Sequence, residues 1–563
     1  MLNGGEELGD ELLMDEQAAG EPEEGSAEKV EWLRNMPCWA LSALLHLILI
    51  VFFISMVRET TRKKEVDVPI AVAVPPAPAT QAKPPPYDPT RKRDVQRTAR
   101  VPGPKDPKIK DPVVLKREVE EVAVDMPQGT SLDNLTNVNL ENSSAGNQTG
   151  INDAIGLGGG VAGAYGERWG KGSLSREGGS EGTEDCVRAA LEWLRRHQSP
   201  DGSWKCQEYI EQCKKACQNI DSARYGDGRG MKEHDVGVTA LAMLAFAGYG
   251  HTHRDGVYDE YVTCLQKAVN YLKSVQVHSE DPSTNGRYGP LSGNEWIYDH
   301  AIATMAMCEI LVMSNDVIGL KKSVTDAVKF CLRAQNDGRG WRYGVKPGEN
   351  DTSVTGWMVL ALKTAKNARL DIPKEEFERA FAGALNWFNH ATSSNGKTGY
   401  VGPGDAGSML GVNNKAGELY PYSKELSCMT AVGVLCRIFS GEKRQSPTIR
   451  EGVKILMMQR PRWQEQKGRA LSTINMYYWY YGSYALFQYG GEDWKKWNED
   501  MQKALITTQR QDPKRQTLID EDGSWDPIDE WGLAGGRVYA TAIGAMTLEV
   551  YYRFRRAQQG VGL

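Results

Sequence analysis

The sequence predicts an all-α protein: an α/α toroid of six helix pairs, preceded by one transmembrane helix and a disordered stalk. Three observations predict it. A repeat with a period near 60 residues runs through residues 185–558. Each repeat joins an amphipathic helix to a second helix that is apolar on almost every side. The N-terminal third holds a single long apolar run among acidic, Pro-rich and Gly-rich segments.

The chain has 563 residues, with 67 Lys and Arg against 73 Asp and Glu, a net charge of −6. No basic field points to nucleic acid. Residues 1–31 carry eleven Asp or Glu and one Lys. They hold too little apolar surface to offset their ordering entropy, so residues 1–36 read as a disordered acidic tail. Residues 37–57 read as a transmembrane helix. Their apolar core, Trp39 to Val57, is 19 residues without Asp, Glu, Lys or Arg, and nearly spans a hydrocarbon layer of about 30 Å. Its acidic flank and bulky end argue for an anchor in the bilayer rather than a cleaved signal. Residues 58–154 form a linker, Pro-rich and then polar. Runs such as Lys83-Pro-Pro-Pro give it polyproline character. Residues 155–184 are a Gly-rich segment expected to lie loosely on the domain.

Within the apolar run, Ser42 and His46 are four residues apart and share a helix face. A His in a membrane helix is costly and suggests a partner or a proton relay. Bonding within the helix is the plainer account. Ser-x-x-x-His followed by a Pro-rich spacer resembles the anchor of TonB-type energy-transducing proteins. That resemblance implies a proton-channel partner for Ser42 and His46, an inner-membrane location and a periplasmic toroid. The charges alone lean the other way. Arg58, Arg62, Lys63 and Lys64 follow the run, and Lys29 and Arg34 precede it.

The repeats begin with an amphipathic helix that ends in a Gly-containing turn with an aromatic residue. The first reads Ala190-Leu-Glu-Trp-Leu-Arg-Arg-His-Gln-Ser-Pro-Asp-Gly-Ser-Trp204, and the third Ala327-Val-Lys-Phe-Cys-Leu-Arg-Ala-Gln-Asn-Asp-Gly-Arg-Gly-Trp341. The sixth keeps Gln509 and, after an insertion, Asp522-Gly-Ser-Trp525; weaker copies end at Tyr288, Tyr400 and Trp463. The charge-poor second helices are expected to start near Asp235, Asp299, Asp351, Glu425, Asn475 and Arg537. A helix apolar all round is a buried helix. Six buried helices inside six amphipathic ones close into a ring without exposed ends.

The Gln-x-x-(x)-Asp-Gly-Ser-Trp element after an Ala-Leu-x-Trp-Leu helix resembles the repeat of the squalene cyclase and protein prenyltransferase superfamily, over about residues 185–556. The resemblance implies a terpenoid-cyclase fold with a central cavity. There the chain would bind or process an apolar ligand with an anionic head, such as an isoprenoid. The Asp-x-Asp-Asp acid motif of squalene-protonating cyclases is absent, which leaves enzyme status open. A non-enzymatic envelope scaffold or protein-interaction ring is the alternative.

Parallel inner helices bring their N-termini to one rim, where their dipoles favour an anion. Asp299, His300, Asp351 and Asp235 are the catalytic candidates there. The same Asp residues would also serve as ordinary N-caps. Asp235, Asp299, Asp351 and Glu425 could equally supply the two carboxylates of a toroidal glycosidase, with nothing to pick out a pair. Arg537 and Tyr539 are candidates for the anionic head. Tyr477, Tyr478, Trp479, Tyr481 and Trp357 are candidates for an aromatic wall, or for helix packing. By its resemblance to prenyltransferases the ring could hold zinc, with His234, His300 and Cys428 as ligands, although the family's Asp-x-Cys pair is missing. Cys206, Cys213 and Cys217 cluster in one insertion that a disulfide could staple. Cys264, Cys308, Cys331 and Cys436 read as core residues.

Overall fold

The computed structural model describes residues 178–213, 228–256, 258–290, 296–405, 427–464, 472–511 and 520–553. Trp39–Val57 with Ser42 and His46, the linker, Glu425 and Cys217 lie outside these residues. The described residues are helical, with three isolated β-bridges and no strand.

Among the described residues, twelve helices alternate between an outer and an inner ring. The outer ones are α1 (Glu181–Arg196), α3 (Asp259–Ser274), α5 (Val317–Ala334), α7 (Lys374–Ala391), α9 (Pro447–Met458) and α11 (Gly491–Ile506). The inner ones are α2 (Asp235–Gly248), α4 (Trp296–Ser314), α6 (Thr352–Lys366), α8 (Cys428–Phe439), α10 (Met476–Tyr489) and α12 (Gly532–Leu548). A final turn, α13, covers Val550–Arg553. Neighbouring inner helices pack in sequence order, and α12 returns to α2. The first outer helix packs on the last inner one, which closes the toroid.

Local chemistry sets these elements. Ser180 and Thr183 cap α1 reciprocally, Asp351 accepts from Val354 N at the start of α6, and Asn475 accepts from Tyr478 N at the start of α10. Ser446 caps α9, with Pro447 in its first turn. The outer helices carry one apolar face, and the inner ones are buried almost throughout. Helix α4 has 19 residues and mean hydropathy 1.2, enough to cross a membrane by length and composition, but 83% of it is buried inside the ring. It is a core helix here.

The repeated turn is a clamp between successive outer helices. Gln198 Nε2 donates to Gly202 O within its turn and to Cys264 O on α3, both at 2.9 Å. Gln276 does the same with Gly286 O and Ser323 O, Gln335 with Arg339 O and Ala380 O, and Gln509 with Gly523 O and Cys186 O. The Gly is required twice over. Gly202 and Gly523 have φ of +94° and +96°, and a Cβ on either would strike the backbone of the next outer helix. The Trp that follows returns its indole N–H to the helix it came from: Trp204 to Leu194 O, Trp341 to Cys331 O, Trp525 to Leu505 O. Its own amide is received by a Thr of the inner helix: Thr239 and Thr355 one turn in, and Thr541 one turn past the kink of the last.

Two inner helices start earlier than expected. Helix α4 begins at Trp296, so Asp299 lies within its first turn rather than at its start. Helix α12 begins at Gly532 and kinks at Gly536, where φ is +65° and the 228–230 backbone passes within 2.6 Å of a would-be Cβ.

The middle of the ring is filled. Trp357 of α6 stacks on Tyr480 of α10 at 5.8 Å and meets Tyr481 edge-on at 5.5 Å. Tyr477 bonds Ser353 across the ring at 2.9 Å. At the C-terminal ends of the inner helices, Arg553 binds Glu309 at 2.6 Å, Glu549 at 3.3 Å and Leu244 O at 2.6 Å, all buried. The outward-facing ends of the inner helices that remain are their N-termini.

Candidate functional site

The N-terminal rim gathers carboxyl groups from several inner helices and the connections before them. Three of the residues that sequence reasoning placed there come together. His234 ends the 3-10 turn that enters α2, and its Nδ1 lies 3.5 Å from Asp299 Oδ1 on α4. Asp235 is next in the chain. Its Oδ1 accepts the Cys206 amide at 2.7 Å, and Lys205 Nζ is 3.9 Å from Oδ2. Asp235 therefore grips the first aromatic turn. Burial pushes its carboxyl up to about 6 against these bonds. A Cβ at Gly237 would collide with Asp299 Oδ1, so that carboxylate nests against glycine on the neighbouring helix. Tyr271 lies close enough to feel both Asp235 and Asp299. His234 and Asp235 keep modest exposure, with 16% and 14% of their side chains accessible.

Asp351 sits further round the rim and is fully buried. Oδ1 caps α6, and Oδ2 has no hydrogen-bond partner among the described residues. Burial raises its carboxyl to about 7. Tyr343 and Tyr400 bond each other at 2.6 Å beside it.

A second acidic group was not anticipated. Asp529 accepts Met476 N at 2.9 Å and the Tyr539 hydroxyl at 3.1 Å, and burial raises it to about 6. Glu530 accepts from Asn475 Nδ2 at 2.6 Å. The available signal was an acidic pair in the short connection between the sixth aromatic turn and its inner helix.

His300 works elsewhere. Its Nδ1 receives the Tyr288 amide at 3.1 Å, and Nε2 faces Cys331 Sγ at 3.3 Å and Thr304 Oγ1 at 3.4 Å. Full burial holds it neutral, with its pKa lowered to about 3. Of the two histidines placed at the rim, it is His234 that faces Asp299, while His300 is taken up inside the ring.

The expected ligand wall and anion site are also corrected. Tyr477, Tyr478, Trp479 and Tyr481 are at most 5% exposed, and with Trp357 they pack against one another and their neighbours. Arg537 is occupied by Asp526 at 2.9 Å, Ser524 Oγ at 2.9 Å and Glu521 at 3.4 Å, and Tyr539 by Asp529. Neither is left for a diphosphate. The three zinc candidates do not converge: His234 faces Asp299, His300 faces Cys331, and Cys428 is placed near Asp529 and Glu530. Among the described residues no three His, Cys, Asp or Glu group as metal ligands. Cys206 is a buried free thiol, and Cys213 Sγ lies 3.2 Å from His197 Nε2.

No family model matches the chain, and no curated protein does. Among solved structures it is similar to an inactive variant of an alpha-1,6-mannanase of Salegentibacter sp. HEL1_6 in complex with alpha-1,6-mannotriose. Identity is 9%, over 66% of this chain and 99% of that one, with a TM-score of 0.41. It is also similar to a novel alpha-amylase from Clostridium perfringens, at 12% identity over 65% of this chain and 97% of that one, with a TM-score of 0.40. Neither is a squalene cyclase, a prenyltransferase or a TonB-type protein. These findings correct the expected kinship, and with it the isoprenoid ligand and the TonB-like coupling. The likeness is too coarse to carry an activity across to this chain.

Proposed function

We propose that the toroid is a carbohydrate-processing domain that cleaves a glycosidic bond at its N-terminal rim. The observation that carries this reading is the convergence of His234, Asp299 and Asp235 from two neighbouring inner helices on the accessible side of a filled ring. Glycoside hydrolysis needs one carboxyl group that still holds a proton and one ionised group that activates water. Burial gives Asp235 the first property. The His234 imidazole against Asp299 suits that pair to the second. Asp235 would protonate the glycosidic oxygen as the bond breaks, and a water, losing its proton to Asp299, would add to the anomeric carbon. Tyr271 beside the acids offers an amphipathic ring of the kind that borders polar, ring-shaped ligands.

The proposal includes an anchor. Trp39–Val57, uncharged over 19 residues, would hold the chain in a membrane, with the ring extracytoplasmic at the end of the Pro-rich linker.

The test is release of reducing ends from a panel of soluble polysaccharides by the full-length protein. Activity that falls by about 100-fold or more in Asp299→Asn and in Asp235→Asn supports the reading. A wild-type protein inert on the whole panel, or variants as active as wild type, overturns it.

A further inference from the structure

Five arginines among the described residues are buried, and four of them hold a carboxylate. Arg188 pairs with Asp185, Arg437 with Glu442, Arg537 with Asp526 and Arg553 with Glu309. Arg287 is the exception. It is 6% exposed, its side chain has no ion pair or hydrogen bond among the described residues, and its Nε shares with the other four the lack of an acceptor. Burial alone pulls its pKa down, with no opposing carboxylate.

Its surroundings are built rather than accidental. The Arg287 guanidinium lies over the Trp296 ring at 5.3 Å. Trp296 meets Phe330 edge-on at 6.0 Å, and Arg333 lies over Phe330 at 5.8 Å. Arg333 also donates to Pro282 O and Asn285 O, which ties down the turn that carries Arg287. Trp296 is the first residue of the 19-residue helix α4, whose N-terminus adds partial positive charge. An unpaired guanidinium in a poorly solvated place is unfavourable until an anion joins it. Its planar fork matches two oxygens of an oxyanion, and its stacking on Trp fixes that fork.

We propose that Arg287, seated on Trp296 at the mouth of α4, is a binding site for an oxyanion: a carboxylate, sulfate or phosphate group. It uses neither Asp235 nor Asp299 and does not depend on the glycosidase reading. The group could be a free anion or part of an acidic polymer, and the experiment separates the two.

Thermal unfolding of the full-length protein is measured in sodium chloride, sodium sulfate and sodium phosphate at matched ionic strength, and with polygalacturonate against neutral dextran. Arg287→Met keeps the stem on Trp296 without the charge. Arg287→Lys keeps the charge without the fork and serves if the Met variant fails to fold. Sulfate or phosphate should raise the Tm of wild type by a few degrees beyond its effect on either variant. In chloride the Met variant should be at least as stable as wild type. Stabilisation by polygalacturonate at lower group concentration than sulfate would identify a polymeric ligand, and stabilisation by the inorganic anions alone a free one. Equal salt responses in wild type and variants, or a Met variant destabilised in chloride, would overturn the proposal.

Discussion

His300 in α4 stands in the register that Thr355 holds in α6: each receives the amide of the aromatic residue that closes the preceding turn. In that register Trp296 is the counterpart of Asp235 and Asp351, and Asp299 is the counterpart of Val238 and Val354. Asp299 is thus an acid at a position the other repeats give to an apolar residue. That makes it an addition to the repeat rather than part of its scaffold.

The register makes His300→Thr a repair and His300→Leu a loss. The Thr variant should fold, keep rim activity and retain most of its stability. The Leu variant leaves the Tyr288 amide unsatisfied and should lose about 1–3 kcal/mol. Urea unfolding of both separates this role from a catalytic one, since a catalytic imidazole would not be rescued by Thr.

Gly237→Ala should disturb the rim without disturbing the fold. The added methyl displaces the Asp299 carboxylate, while Ala favours the helix by about 1 kcal/mol over Gly. Activity tenfold or more below wild type with an unchanged or higher Tm is the expected result. A fully active variant would show that the seat of Asp299 does not matter.

Asp351 gives a pH signature. Its carboxyl is raised from an ordinary 3.8 to about 7. Between about pH 4 and pH 7 the folded protein holds a proton that the unfolded chain releases. Its contribution is therefore full below about pH 4 and is lost as pH rises through 7. Asp351→Asn keeps the cap and cannot ionise. It should match wild type near pH 4 and exceed it at pH 8 by on the order of 4 kcal/mol. Parallel stability curves for the two proteins would contradict the assigned shift.

Gln509 closes the ring through Cys186 O on α1 and Gly523 O in its own turn. Gln509→Ala leaves two buried carbonyls without their donor and should cost about 2–4 kcal/mol in denaturant unfolding. Gln198→Ala removes the same pair of bonds at an internal repeat and should cost a similar amount. A much smaller loss at Gln509 would mean that the seam is held by other contacts.

The ring was legible in the sequence because its turns are chemically constrained. A Gln that must reach two carbonyls, a Gly that must pass close to a neighbouring backbone and a Trp that must return its N–H leave a spaced signature at residues 198–204, 335–341 and 509–525. The rim was less legible. Starting α4 at Asp299 put His300 at the rim beside His234, whereas α4 begins at Trp296 and carries His300 one turn inside. Asp529 and Glu530 sit in a connection that no other repeat duplicates. The aromatic run of α10 carried no sign that α6 would cross the ring to pack on it. Arg287 drew no notice because an arginine without a partner is recognisable only once its neighbours are placed.

The seam between α1 and α12 has a consequence for how the chain is made. Arg196 pairs with Asp520, and Gln502 bonds Gly178, across more than three hundred residues. During synthesis α1 emerges first, and its proper neighbour emerges last. Until then its apolar face lacks the inner helix it packs on most, and successive pairs can only stack into an open arc with two unfinished ends. Closure is a late, long-range step of the kind that slows folding and exposes intermediates to aggregation. A ribosome stalled before residue 532 would therefore display an arc rather than a smaller ring, and a protease should find α1 protected only after the last inner helix has docked.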